Sequence, residues 1–95
     1  MVGTLAISKS GHDKGRIYVI VAEEGSRVLL ADGELRGIGN PKKKNIRHIQ
    51  PILHLPPETA ELLKDMAAIT DLEIKRALKI YRRNQEGMNV ESRCH

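Results

Sequence analysis

The sequence predicts a mainly β fold with an α-helical part: a small β-barrel followed by a C-terminal helical segment. Short runs of β-branched residues, separated by glycine-containing turns, fill the first half of the chain. An apolar repeat with helical spacing follows the prolines at 51, 56 and 57. The 95 residues suffice for one domain. We therefore expect a barrel over residues 1–50, a proline-rich linker over 51–57, a helical extension over 58–87 and a flexible tail over 88–95.

The strands are predicted from β-branched runs and turn signals. Residues 4–8 form the first and residues 16–22 the second, whose nearly continuous apolar run indicates either burial on both faces or a strand that curves through a barrel wall. Gly25-Ser26 leads into a third strand at 27–31, and Asp32-Gly33 predicts a hairpin that returns at 34–36. A last strand is expected at 46–49, after the lysine triplet. Four or five short strands favour a barrel, because curling the sheet removes open edges.

The helices are predicted from capping residues and apolar spacing. A first helix is expected over 58–68 with Pro57 as its first residue, since proline is tolerated at that position. Thr70 and Glu73 form a capping box for a second helix, which should run to about Asn84 and end at Gly87. The apolar stripe of this second helix comprises Ile74, Ala77, Leu78 and Tyr81.

Composition excludes several classes of protein. The chain has two tyrosines and no Phe or Trp, so it lacks material for an aromatic platform that stacks bases. The single cysteine, Cys94, cannot form a disulfide within the chain, which favours a reducing compartment. No apolar run is long enough to span a membrane, and the first twenty residues do not resemble a signal peptide. We expect a cytoplasmic protein with no membrane partner.

Catalytic and metal motifs are absent from the sequence. The four histidines and Cys94 have none of the spacings that hold zinc. Ser8, Ser10, His12 and Asp13 contain the components of a catalytic triad, but neighbours in one turn point in different directions. The segment 11–16 differs from a nucleotide-binding P-loop, because Arg and Ile follow its second glycine and a strand follows the turn. The sequence therefore predicts no enzymatic activity, no cofactor and no metal site.

Positive charge is concentrated in the first half of the chain. Residues 1–50 carry nine Lys/Arg against five Asp/Glu, whereas residues 51–95 carry seven of each. One basic element is the glycine-framed turn at 8–16, whose backbone N–H groups and cations suit an anion. The other is the segment 36–47, which has five cations and no acid. Two basic elements on one small barrel favour phosphate contacts, while a solvated hairpin and a guarded sheet edge remain the alternatives.

Residues 8–33, SKSGHDKGRIYVIVAEEGSRVLLADG, resemble a KOW motif, in which a basic glycine-containing loop precedes two strands. This motif belongs to SH3-like barrels of ribosomal proteins and transcription elongation factors. The runs 11–16, 19–21 and 27–33 are similar to large-subunit ribosomal proteins of the eukaryotic "fourteen-e" class. They are closer still to small KOW-domain RNA-binding proteins of clostridia and related bacteria. That resemblance continues through residues 40–48 and 70–79.

The resemblance implies an SH3-like (KOW) barrel that binds RNA in translation, with ribosomal RNA as the expected partner and ribosomal proteins as possible neighbours. In the ribosomal relatives the loop before the second strand contacts ribosomal RNA, which here implicates Lys9, Gly11, His12, Lys14 and Arg16. The charge distribution adds five further candidates for RNA contact: Arg36, Lys42, Lys43, Lys44 and Arg47.

A protein–protein interaction module of SH3 or Tudor type, acting in transcription or translation, is the alternative function. Its docking surface would be the apolar helix stripe or a groove on the barrel. Only Tyr18 and Tyr81 are available for the aromatic cage that Tudor-type recognition needs. RNA binding should weaken steeply with salt and apolar docking should not, which separates the two functions.

Overall fold

The computed structural model describes the backbone of residues 1–93 and the side chains of residues 1–85. A small mixed fold, with an antiparallel sheet and a C-terminal helix, is confirmed. The strands are β1 (Leu5–Ser8), β2 (Ile17–Glu24), β3 (Arg27–Ala31), β4 (Lys42–Asn45) and β5 (Ile49–Ile52). The helices are α1 (Pro57–Leu62) and α2 (Asp71–Arg93), with 3₁₀ turns at Ile46–His48 and Met66–Ala68.

The five strands form one antiparallel sheet in the order β4-β3-β2-β1-β5. Strands β4 and β5 are its two edges and are not paired with each other, so no continuous ladder closes the sheet into a barrel. The register of β2 against β3 shifts between Ile20 and Ala22, which marks a bulge. A bulge bends a strand and increases its twist, so the sheet is curved at this point.

The sheet has an apolar cluster on each face. Alternate strand residues, among them Leu5 and Val19, pack on the buried stripe of α2, and all four predicted stripe residues lie in this cluster. The other cluster consists only of strand residues: Ala6, Tyr18, Ile20, Val28, Leu30 and Ile49. Strand β2 contributes to both clusters, as its continuous apolar run predicts.

Helix α2 begins with the predicted capping box. The Thr70 N–H donates to Glu73 Oε1 at 3.1 Å, and the Glu73 N–H donates to Thr70 Oγ1 at 3.3 Å. The backbone of α2 remains helical to Arg93, past the predicted end at Gly87 and through most of the predicted tail. Residues 94–95 lie outside the described part of the chain. No helix in the described part is sufficiently long and apolar to cross a membrane.

Helix α1 is shorter than the sequence predicts. It begins at Pro57, as expected, but ends at Leu62, and a separate 3₁₀ turn follows at Met66–Ala68. The break lets Leu63, which is 3% exposed, enter the cluster beneath α2. Leu63, the residue that follows the last turn of α1, thereby packs with the buried stripe of α2.

Two strand predictions near the lysine triplet are wrong. Residues 34–36 are a bend, because the Asp32 carboxylate accepts the N–H groups of Glu34 and Arg36, both at 2.9 Å, and holds the chain in a turn. The triplet itself forms β4, where a basic loop was expected. The last strand, β5, is displaced into the predicted linker and includes Pro51, which is tolerated because β5 is an edge strand.

The connection between β3 and β4 is packed tightly on α2 at Gly33. The φ of Gly33 is +81°. A Cβ at this position would overlap the carbonyl oxygen of Asp71 and lie 3.0 Å from the backbone nitrogen of Lys75. The Ile38 N–H also donates to Asp71 Oδ1 at 2.8 Å. The start of α2 therefore fixes the position of this loop.

We expect Gly33→Ala to destabilise the protein more than Gly15→Ala. Both glycines have positive φ, which costs an alanine about 1–2 kcal/mol, but a Cβ at Gly15 meets no atom within 4 Å. Overlap with α2 adds roughly 1–3 kcal/mol only at Gly33. Urea denaturation measures both variants, and equal losses of stability would contradict the tight packing of this loop on α2.

Candidate nucleic-acid interface

The turn between β1 and β2 is shaped by two glycines. Gly11 and Gly15 have φ values of +86° and +92°, which L side chains rarely adopt, as expected for residues that shape this loop. The N–H groups of residues 14–16 all donate to carbonyl oxygens of Ser8 or of the turn itself. These three N–H groups are therefore already occupied and are not available to an external anion.

The turn surrounds a carboxylate of its own. Asp13 is 7% exposed. Its Oδ1 accepts the Ser8 hydroxyl at 2.9 Å and the Lys44 ammonium at 2.7 Å. Its Oδ2 accepts the Tyr18 hydroxyl at 3.0 Å and pairs with the Lys42 ammonium at 2.9 Å. Four side chains from β1, β2 and β4 thus converge on one buried charge, as a buried carboxylate requires.

The four contacts determine the ionisation of Asp13. Burial alone would raise the pKa of this carboxyl group, but the hydrogen bonds from Lys44 and Lys42, and then from Ser8 and Tyr18, hold the pKa far below its ordinary value. Burial, and secondly the Asp13 carboxylate, raise the pKa of the Tyr18 hydroxyl. At neutral pH Asp13 is therefore a carboxylate and Tyr18 a neutral hydroxyl donor.

The lysine triplet is divided between the two faces of β4, because successive strand residues point to opposite sides. The Lys44 side chain is 9% exposed and also donates to the Ser10 carbonyl at 2.7 Å. Lys42, also bound to Asp13, is 30% exposed. Lys43 points to the other side and pairs with Glu24 at 3.0 Å. The three lysines are thus not equivalent, and the ammonium of Lys44 is used inside the protein.

A shallow groove of about 260 Å³ lies beside this centre. It brings together four of the ten candidate residues, which come from three separate parts of the chain. Arg16 and Arg36 supply guanidinium groups to the groove. The negative charge of Asp13 is offset by the ammonium groups of Lys42 and Lys44. The groove is therefore positively charged and suits an anion of the size of a phosphate group. Its lining residues are His12, Asp13, Arg16, Tyr18, Leu35, Arg36 and Lys42.

The other candidates lie outside the groove. Lys9, Gly11 and Lys14 are exposed on the turn, and Arg47 is exposed on the 3₁₀ turn before β5. The Lys9 N–H donates to the His48 carbonyl at 2.8 Å, which holds these two turns side by side. The exposed candidates therefore lie on two neighbouring turns, one of which also contributes residues to the groove, whereas Lys43 and Lys44 do not line it.

Sequence reasoning missed Asp13, Tyr18 and Leu35 as parts of this site. Two signals point to the buried centre: Asp13 is the only acidic residue between Ser8 and Ala22, and the spacing of Lys42 and Lys44 places both on one face of a strand. Leu35 carries no such signal. It lies in a segment predicted as a strand and is 70% exposed at the groove.

In the described part of the chain, no group of three or more His, Cys, Asp or Glu side chains is arranged to hold a metal ion. Comparison with protein-family models and with curated protein sequences finds no match to this chain.

We expect Asp13 and Lys44 to be energetically coupled. Asp13→Asn should cost roughly 3 kcal/mol, because it leaves the Lys44 ammonium buried without its counter-charge. Lys44→Met should cost less, since Lys42 still pairs with Asp13. The double variant should lose less stability than the sum of the two single variants.

Lys43→Met is the control on the same strand. Because the pair of Lys43 with Glu24 is exposed, its loss should change stability by less than about 1 kcal/mol. Additive losses in urea denaturation would rule out the coupling.

The stabilisation by Asp13 should disappear in acid. Its pKa is lowered in the folded protein, so its contribution is present above the ordinary aspartate pKa of about 3.9 and is lost as pH falls from there towards the folded value. The difference in free energy of unfolding between wild type and Asp13→Asn should therefore be largest near neutral pH. It should shrink below about pH 4, and a difference independent of pH would contradict the assignment.

Proposed function

We propose that the protein is a non-enzymatic, cytoplasmic RNA-binding domain that contacts the phosphates of structured RNA, with ribosomal RNA as its ligand. The observation that carries this proposal is the convergence of His12, Arg16, Arg36 and Lys42 on one groove. The KOW resemblance or the charge distribution of the sequence predicts each of these four residues as an RNA contact. Cations that only keep a surface soluble do not have to lie close together. Here, cations from the turn, the loop after β3 and strand β4 meet in one concave site.

The chemistry of the groove favours phosphates over bases as the groups contacted. Arg16 and Arg36 can each form two parallel hydrogen bonds to a phosphate, which suits backbone recognition. The two aromatic rings of the chain, Tyr18 and Tyr81, are only 2% and 8% exposed and offer no surface for stacking. Binding through phosphates supplies affinity and position with little sequence preference.

We propose further that the sheet is the wall of an SH3-like, KOW-type barrel. The second apolar cluster supports this, because Ile20 and Leu30 are 0% exposed although the cluster contains strand residues alone. A sheet that curls over this face accounts for their burial. The bulge in β2 and the bridge from Asp13 to β4 are both consistent with such curvature.

The proposed interface has a centre and a rim. Arg16 and Arg36 form the centre, with His12 and Lys42 beside them. Lys9, Lys14 and Arg47 form the rim, where exposed cations add attraction at longer range. Lys43 and Lys44 are left out, since neither lines the groove: Lys43 pairs with Glu24, and the largely buried Lys44 ammonium is used by Asp13 and the Ser10 carbonyl.

A protein ligand is the second candidate, and Leu35 is the observation that favours it. This side chain is 70% exposed at the edge of the groove, where an apolar group of a partner could pack on it. Such docking would depend on apolar area and would respond weakly to salt, in contrast to phosphate binding.

The RNA proposal is tested with a double variant, Arg16→Gln/Arg36→Gln, and a fluorescently labelled stem–loop RNA. Affinity is measured by fluorescence anisotropy between about 50 and 200 mM salt. We expect wild type to bind with a steep salt dependence. The variant should bind about tenfold or more weakly, with a slope of log K against log salt that is smaller by about two. Unlabelled ribosomal RNA should compete more effectively than an equal mass of transfer RNA.

The matched control is Lys64→Gln/Arg76→Gln, which removes the same charge from exposed positions outside the groove. Its affinity should remain within about twofold of wild type, because distant exposed charges are largely screened. Equal weakening by both variants would mean that net charge alone drives binding. Absence of binding by wild type would reject the RNA proposal, and salt-insensitive capture of a protein partner would favour the second candidate.

A further inference from the structure

A second cleft, of about 340 Å³, lies between α2 and the segment 32–36. It is separate from the groove described above and shares no lining residue with it. The helix contributes cations to one wall, and the loop contributes two carboxylates to the other. The lining residues are Asp32, Glu34, Lys75, Leu78, Lys79 and Arg82.

The walls of this cleft are held in place by contacts between the loop and the helix. Gly33 lies directly on the backbone of α2, and the Ile38 N–H donates to Asp71 Oδ1 at 2.8 Å. The Asp32 carboxylate accepts two N–H groups of its own loop, and Glu34 pairs with Lys75 at 3.0 Å. The cleft is therefore formed before any ligand binds, which lowers the entropic cost of binding.

The charges in the cleft favour an anion. Both carboxylates are already engaged, Glu34 by the Lys75 ammonium and Asp32 by backbone N–H groups. Lys79 and Arg82 make no ion pair with any side chain of residues 1–85. Together with Lys75 they follow one face of the helix at spacings of four and three residues, over about 10 Å of its length.

The loop between the cleft and the groove contributes lining residues to both cavities. Asp32 and Glu34 line the cleft, whereas Leu35 and Arg36 line the groove. A chain of phosphates that occupies the groove and crosses this loop would reach the cations of α2. We infer that the cleft is a second phosphate-binding site, with Lys79 and Arg82 as its contacts, and that one RNA molecule binds both sites. This inference rests on the proposed function.

The test compares two variants of the same helix in the full-length protein. Lys79→Gln/Arg82→Gln removes two cations from the cleft, and Arg76→Gln/Arg83→Gln removes two exposed cations that do not line it. The probe is the labelled stem–loop RNA, and affinity is measured over the same salt range. We expect the cleft variant to bind roughly tenfold more weakly with a salt slope smaller by about two, and the control to stay within about twofold.

The outcomes separate this inference from the proposed function. If wild type binds and Arg16→Gln/Arg36→Gln binds weakly, but the cleft variant behaves as its control does, the second site is rejected and the groove remains. If the cleft variant alone loses affinity, the cleft binds phosphate, but the groove and the binding of one RNA molecule to both sites are rejected. If wild type does not bind the stem–loop RNA or ribosomal RNA, both proposals fail. Circular dichroism checks that both helix variants are folded. We expect them to be folded, since all four substituted side chains are exposed.

Discussion

The buried ion pairs of Asp13 connect parts of the sheet that have no backbone hydrogen bonds to one another. Strand β4 is separated from β1 by β3 and β2, yet Lys42 and Lys44 reach the carboxylate that Ser8 also contacts. A buried carboxylate is stable only if its partners are in place, so this centre favours one position of the edge strand relative to the turn. The floor of the groove, the conformation of the turn and the placement of β4 all depend on it.

The same centre determines which positive charges of the chain remain available to a ligand. The lysine triplet is the most basic run in the sequence, but Lys44 neutralises an internal carboxylate and Lys43 an external one. The groups left to attract a ligand are mostly isolated cations, such as Arg16 and Arg36, which are brought together by topology. A run of charges along a sequence is therefore a weaker guide to a binding surface than the strand register that divides it.

Features encoded within a few residues were predictable from the sequence, and those that depend on distant partners were not. The Thr70–Glu73 box, the stripe of α2 and the burial of β2 on both faces follow from local spacing, and the structure confirms them.

Strand β4 depends on distant partners. It is rich in lysine, which has low strand propensity, and it forms because β3 and Asp13 provide partners. The hairpin signal of Asp32-Gly33 is not realised, because the Asp32 carboxylate holds residues 34–36 in a turn, and this turn packs on α2, nearly forty residues later. Four groove residues were found by charge and resemblance, while Leu35 depends on that same non-local packing.

The loop after β3 contributes residues to both the groove and the cleft. It is fixed at one end by the Asp32 carboxylate and along its length by α2, and its two sides line two positively charged cavities. Held at a fixed separation, the two proposed phosphate sites would discriminate by the spacing and curvature of an RNA backbone rather than by base identity, because only ligands that match the spacing reach both sites. With both tyrosines buried, such a surface would recognise the shape of an RNA rather than stack its bases.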